Sequence, residues 1–184
     1  MSKLTGILAI QGDFQAHINA LMAIGAEYRE IRNSKDLEGV SNLIVPGGES
    51  TTISKIAKYN GLWEKLSQFD GPVMGTCMGS ILMADTIEAS KSKGWGMIDM
   101  SIRRNAYGRQ VHSFTALGKI AFINGPFEMI FIRAPRIIQY DKNVKPIAWL
   151  DKEVVGVISG NKLALTFHPE LSGNSKVHEY FLNL

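Results

Sequence analysis

Gly71-Pro72-Val73-Met74-Gly75-Thr76-Cys77-Met78-Gly79-Ser80-Ile81-Leu82-Met83-Ala84 decides how the rest of the chain is read. The turn at Gly71-Pro72 runs into a short apolar strand, and residues 81–84 read as the apolar part of a helix. Between them a small-X-Cys-X-Gly sequence must turn sharply from strand into helix, which is the logic of a nucleophile elbow. Gly75 and Gly79 let neighbouring backbone come close. Cys77 is left at the tip, near a helix N-terminus whose positive end favours thiolate over thiol. It is the only cysteine in the chain, so no disulfide explains it. A lone cysteine in an apolar stretch is usually an inert core thiol, and chemistry has to be argued from its surroundings.

Upstream of the elbow, residues 4–10 form a nearly continuous apolar run, as in a strand buried on both faces. Gln11-Gly12-Asp13 is a turn, and Asp13 can cap the helix that Phe14, Ile18, Leu21 and Ile24 mark by their spacing. Strands are expected at 28–31 and 42–45, and helices at 50–59 and 62–69. Strand and helix alternating over short connections argue for a parallel α/β sheet. From about Ser101 the texture changes to short β-rich pieces at 111–116, 129–132, 137–140, 147–150 and 154–159. Another apolar strand at 163–167 leads into His168-Pro169-Glu170, and 176–182 can close the chain as a helix. The expected fold is therefore an α/β three-layer sandwich. It has a mostly parallel central sheet, helices on both faces and a mixed or antiparallel extension. Residues 1–184 are read as one domain.

The bulk composition is that of a soluble globular protein: 45% hydrophobic, 20% charged, net charge +3. Lys91, Lys93 and the Arg103-Arg104 pair are the densest basic spots, and they read as solvated surface. No nucleic-acid-binding motif or aromatic platform accompanies them. The apolar run at 4–10 is too short for a signal-peptide core, and no stretch approaches a membrane span. With one cysteine, a reducing, cytoplasmic setting is expected.

Three constellations can carry chemistry. Pro46-Gly47-Gly48-Glu49-Ser50 lies between a strand and a helix, where backbone N–H groups can cradle an anion or oxyanion. It is equally turn chemistry. In His168-Pro169-Glu170 the imidazole can take a thiol proton while the carboxylate orients it, a Cys-His-acid triad. Without Cys77 the pair would pass for surface residues. His17, His112 and His178 are rival bases, but none ends an apolar strand beside an acid. Arginines in Arg104-Asn105-Ala106-Tyr107-Gly108-Arg109-Gln110 and Ile132-Arg133-Ala134-Pro135 suit a carboxylate, or are surface charge.

Taken together these strings resemble the class I, triad-type glutamine amidotransferases, and among them the glutaminase subunits of pyridoxal 5′-phosphate synthases. The match runs nearly end to end and includes residues 8–13, 46–52, 75–77, 104–110, 131–135 and 167–171. The resemblance implies that Cys77 is the nucleophile, His168 the base and acid, and Glu170 the orienting carboxylate. It implies that Gly47, Gly48, Glu49, Arg104, Ile132 and Arg133 line an L-glutamine site. Backbone N–H groups of Gly48 and Met78 would form the oxyanion hole. The implied partner is a barrel-shaped synthase subunit that accepts ammonia for vitamin B6 biosynthesis. No metal or organic cofactor, nucleic acid or membrane is implied.

Met78 and Ser80 stand where smaller or more aliphatic residues are expected, and His112 where an acid is usual. Gly173-Asn174-Ser175-Lys176 replaces a more acidic stretch. These departures touch partner contacts more than hydrolysis. The competing readings are a glutaminase serving another synthase, a partner-independent cysteine hydrolase on a related fold, a nucleic-acid-binding domain and a catalytically silent regulatory subunit.

Overall fold

The computed structural model describes residues 3–90, 93–107 and 113–184. Lys91, the Gly108-Arg109-Gln110 end of the arginine-rich loop, and Val111 and His112 lie outside the described residues.

β1 (Thr5–Leu8) is buried at all four positions. Asp13 caps α1 (Phe14–Ala23), its Oδ1 accepting the Ala16 N–H at 3.3 Å. β2 (Tyr28–Ile31) and β3 (Asn42–Val45) flank β1 in parallel. α2 (Ser50–Tyr59) and α3 (Leu62–Ser67) precede the elbow, formed by β4 (Val73–Thr76) and α4 (Met78–Met83). Then come β5 (Ala84–Ile87), β6 (Ile98–Arg103), β7 (Ser113–Ile120) and β8 (Phe127–Ile132). β9 (Arg136–Tyr140), β10 (Lys145–Leu150), β11 (Glu153–Ser159) and β12 (Lys162–Leu165) follow. A 3-10 turn at Pro169–Leu171 leads to α5 (Lys176–Leu182).

The main sheet has nine strands in the order β2-β1-β3-β4-β12-β11-β10-β7-β8. From β2 to β12 neighbours run parallel, and from β12 to β8 antiparallel, so the expected extension is present. Alternate residues enter different cores. Leu8, Leu43, Val45, Val73 and Ala164 pack with Ile53, Leu62 and Leu82 of α2, α3 and α4. Ile7, Ile44, Met74, Leu163 and Leu165 pack with Ile18 and Leu21 of α1 and Val177 and Phe181 of α5. Burial on both faces is why these strands read as unbroken apolar runs. Each fully buried side chain of this size contributes about 1.5–3 kcal/mol relative to exposure.

One part differs from expectation. β9 belongs not to the extension but to a separate three-stranded sheet, β5-β6-β9. Its Ile87, Ile98, Met100 and Ile102 cover the core on the α4 side. Ala84, expected at the end of the elbow helix, instead opens β5 with extended backbone. The middle of β5 is exposed Asp85-Thr86, so it shows neither a helical nor an alternating apolar pattern. β6 does alternate, burying Ile98, Met100 and Ile102. No helix among the described residues is long and apolar enough to cross a membrane.

Candidate active site

β4 sits between β3 and β12, and the Cys77 N–H prolongs the β4–β12 ladder by donating to the Leu165 carbonyl at 2.8 Å. The chain then breaks away with Cys77 at φ 48°. That left-handed conformation is strained for a residue with a Cβ and persists only where its surroundings enforce it. The enforcement is visible. A Cβ on Gly79 would overlap the Val45 carbonyl oxygen, so the helix start can press against β3 only through glycine. Ser80 is fully buried, and its Oγ donates to the Cys77 carbonyl at 2.6 Å. The hydroxyl at this unexpected serine is therefore satisfied and clamps the elbow. α4 has only six residues, so its influence on the thiol comes from free first-turn N–H groups rather than a long dipole.

Because β12 pairs with β4, the residues after β12 emerge beside Cys77. His168 Nδ1 and Glu170 Oε1 are 2.7 Å apart, and both residues are buried. A Cβ on Gly47 would lie 2.5 Å from His168 Cε1 and 3.3 Å from Cys77 Cβ, so glycine, thiol and imidazole share one small space. The Cys77 thiol donates to the Ile132 carbonyl at 3.4 Å. His168 Nε2 has no partner at ordinary hydrogen-bond geometry. The thiol is near enough to bias the imidazole while its proton rests on Ile132. Burial alone would push His168 down, but Cys77 and then Glu170 outweigh it and lift the imidazole to about 10. Burial alone would raise Glu170, but His17 first and then His168 hold it well below the usual carboxylate range. The arrangement therefore favours an imidazolium beside a carboxylate.

Gly47→Ala tests this packing. The added methyl must displace His168 or Cys77, and kcat is expected to fall about 100-fold, as for a misplacement near 1 Å. Steady-state kinetics with an unchanged circular dichroism spectrum would check it.

A cavity of about 470 Å³ opens over Cys77, lined by Gln11, Gly47, Gly48, Glu49, Met78, Arg104, Ile132, Arg133 and His168 among others. The antiparallel end of the sheet brings Ile132 and Arg133 there, since the His168 N–H donates to the Ile130 carbonyl of β8 at 2.8 Å. Arg133 and Asn105, both on the cavity wall, have φ 45°. Their loops are joined by the Ala106 N–H on the Ala134 carbonyl at 3.3 Å. Tyr107 anchors the arginine loop by donating to Glu153 Oε1 at 2.8 Å, with the Arg136 guanidinium 4.4 Å over its ring. Arg104 Nε is buried without a partner. A charged donor left open on a cavity wall is suited to an anionic ligand group.

All the site residues expected from the sequence lie in this one place. Glu49 has a second duty: its carboxylate caps α2, accepting from the Thr51 and Thr52 N–H groups at 3.0 and 2.9 Å and from the Thr52 hydroxyl. Those bonds, the Thr52 and Thr51 contacts first, pull it down to about 2. Gln11, read only as part of a turn, reaches the site as well. Its Oε1 accepts the Glu49 N–H at 2.6 Å and so fixes the Gly48–Glu49 peptide. His17 and His178, considered only as rival bases, are fully buried behind Glu170. A histidine on the apolar face of a helix needs a buried polar partner, and that signal was present at both positions. Among the described residues no cluster of His, Cys, Asp and Glu could hold a metal ion.

The family model described as the SNO glutamine amidotransferase family matches residues 7–184. The pyridoxal 5′-phosphate synthase subunit PdxT of Thermococcus gammatolerans is 45% identical over 189 residues, 96% of this chain and 96% of that protein. The PdxT subunit of Fervidobacterium nodosum is 44% identical over 184 residues, 98% of this chain and 96% of its own. A solved structure titled as a glutamine amidotransferase superposes with a TM-score of 0.92 at 39% identity, covering 97% of each chain. PurLQS from Thermotoga maritima superposes with a TM-score of 0.72 at 17% identity, covering 100% of this chain and 99% of its own, a likeness of fold.

Proposed function

The chain belongs to the SNO glutamine amidotransferase family, and on that premise we propose that Cys77, His168 and Glu170 are the triad with which it hydrolyses L-glutamine to L-glutamate and ammonia. The observation that carries the assignment is the buried 2.7 Å His168–Glu170 pair beside a strained Cys77 on an open cavity. The ammonia is delivered to a synthase partner for pyridoxal 5′-phosphate formation, a reading supported by relatives named as pyridoxal 5′-phosphate synthase subunits. We take that partner to be a barrel-shaped subunit. We place the reaction in the cytoplasm, where a lone catalytic thiol stays reduced.

Glutamine binds with its α-carboxylate on Arg104, aided by Arg133, and its α-ammonium near Glu49. The Cys77 thiolate attacks the side-chain amide carbon. The oxyanion rests on backbone N–H groups of Gly48 and Met78; Met78 opens α4, where N–H groups have no partner within the helix. Losing one such donor typically slows catalysis about 100- to 1000-fold. Protonated His168 donates from Nε2 to the leaving nitrogen as the C–N bond breaks, releasing ammonia and leaving a γ-glutamyl thioester. Water then gives a proton to His168 and attacks the thioester carbonyl, and collapse expels the Cys77 thiolate and frees glutamate. Free ammonia protonates at neutral pH and loses its nucleophilicity, so a docked acceptor with a sheltered path makes physical sense. Docking is proposed to complete the oxyanion hole by turning a peptide in Gly47-Gly48, where glycine makes the turn sterically cheap.

The test is ammonia and glutamate release from glutamine with and without the synthase subunit. Synthase-stimulated release is expected. Equal rates in both samples would refute the docking step, and no release in either would refute the glutaminase reading. Arg104→Gln is expected to raise KM about 10- to 100-fold with kcat little changed, since a charged hydrogen bond to the distant carboxylate is made equally in ground and transition states. A kcat loss at unchanged KM would place Arg104 elsewhere in the mechanism.

A further inference from the structure

Behind the triad lies a second polar cluster that the steps above do not use. His17 of α1, Thr76 at the end of β4 and His178 of α5 are all fully buried. His17 Nε2 lies 3.1 Å from Thr76 Oγ1 and 3.4 Å from Glu170 Oε1. His17 Nδ1 lies 3.0 Å from His178 Nε2. Glu170 Oε1 is the same oxygen that meets His168 Nδ1 at 2.7 Å. One carboxylate oxygen is thus shared by two imidazoles, one of which faces the thiol while the other faces away from the cavity.

The protons can be placed by elimination. An ionised carboxylate only accepts. With its proton on Nε2, His17 donates to Thr76 Oγ1 and turns the positive end of the same N–H toward Glu170 Oε1 3.4 Å away, and Nδ1 is left to accept from His178 Nε2–H. His178 Nδ1, which has no partner in the structure, is then a bare lone pair. The opposite tautomer turns a His17 lone pair onto the carboxylate. It also forces His178 to bury an unpaired N–H, and an orphaned donor is the costlier kind. Burial above all pushes His178 down to about 3, so it stays neutral and keeps one donor and one acceptor.

We propose that His17, its tautomer set by His178, is a positioning residue that directs its Nε2–H at Glu170 and holds that carboxylate ionised and aimed at His168. The proposal rests on the triad reading above. It assigns the two histidines a role through Glu170, with no contact to glutamine. It also explains why α1 and α5, on the face away from α4, each carry one buried histidine.

The experiment uses the complex with the synthase and two substitutions. His17→Phe keeps the ring and removes both nitrogens; His17→Gln returns an amide donor at the Nε2 position. For His17→Phe, kcat is expected to fall about 10- to 100-fold with KM changed less than about 2-fold, as for loss of an outer partner of a catalytic group. The acid limb of its kcat profile should move to higher pH, because Glu170 takes a proton more readily once the donor is gone. His17→Gln should recover most of the rate. A wild-type kcat and pH profile for His17→Phe, or no recovery in His17→Gln, overturns the proposal. The second arm needs no variant. Side-chain ¹⁵N NMR of the unaltered protein at about pH 6 to 8 should show a proton on His17 Nε2 and His178 neutral with its proton on Nε2. A His17 proton on Nδ1 overturns the proposal. The NMR arm reads no turnover, so an inactive wild type would sink the glutaminase reading while leaving this one decidable.

Discussion

Cys77→Ala is expected to lower glutamine-dependent ammonia release from the complex by at least about 10,000-fold. Without sulfur there is no thioester, and His168 has no nucleophile to activate. Water could attack directly, but neither its position nor its acidity is prepared by the elbow. The fold should survive. Alanine keeps the Cβ and inherits the φ of 48°, so strain is unchanged, and the lost Sγ contact with the Ile132 carbonyl at 3.4 Å is weak. The check pairs two measurements on the same sample. Glutamate release should vanish, while synthase supplied with an ammonium salt instead of glutamine should keep its rate. If partner-stimulated hydrolysis persisted in the variant, Cys77 would not be the nucleophile.

Glu170→Gln should be the next most damaging change, lowering kcat about 100- to 10,000-fold. The amide oxygen can still accept from His168 and His17, so geometry is largely kept. The lost feature is negative charge beside an imidazole that must become imidazolium. The same change should be visible in stability against pH. The folded pKa of His168 is raised from 6.5 to about 10, so its contribution is fully present below pH 6.5 and disappears as pH rises through about 10. The folded pKa of Glu170 lies below its ordinary 4.5, so its contribution is present above pH 4.5 and is lost as pH falls further. The stability difference between wild type and Glu170→Gln, from denaturant melts, should therefore be largest between about pH 4.5 and 6.5 and shrink toward pH 10. A difference independent of pH would mean that charge on this pair does not matter to the fold.

Much of this was readable from residues because local and global demands coincide. The apolar runs of β1, β3 and β4 and the spacing in α1 are direct images of two-sided burial and of a single buried helix face. The elbow announces itself through Gly79, required sterically at the Val45 carbonyl, and Gly75, pressed against Met83 and Gly79. What escaped notice has physical reasons. β5 buries only its two ends, and its partners lie elsewhere in the chain, so no local period marks it. β9 looks like any neighbouring strand, and only pairing, which the sequence does not encode locally, sends it to the second sheet. Gln11 acts through one side-chain bond to a backbone N–H, a contact without spacing or pattern. His17 and His178 are 161 residues apart and acquire meaning only when α1 and α5 come together over Glu170.

The insertion of β12 between β4 and β11 has a consequence for how the molecule comes to life. The strand that delivers His168 pairs with the strand that delivers Cys77 across a long stretch of chain, Leu165 opposite Thr76. Closing so distant a pairing carries a loop-closure cost that nearby strand pairs do not bear. Without that pairing the thiol has no imidazole beside it and no complete cavity to admit an amide. Incompletely folded molecules are therefore silent, and ammonia is not squandered by chains that cannot yet hand it on.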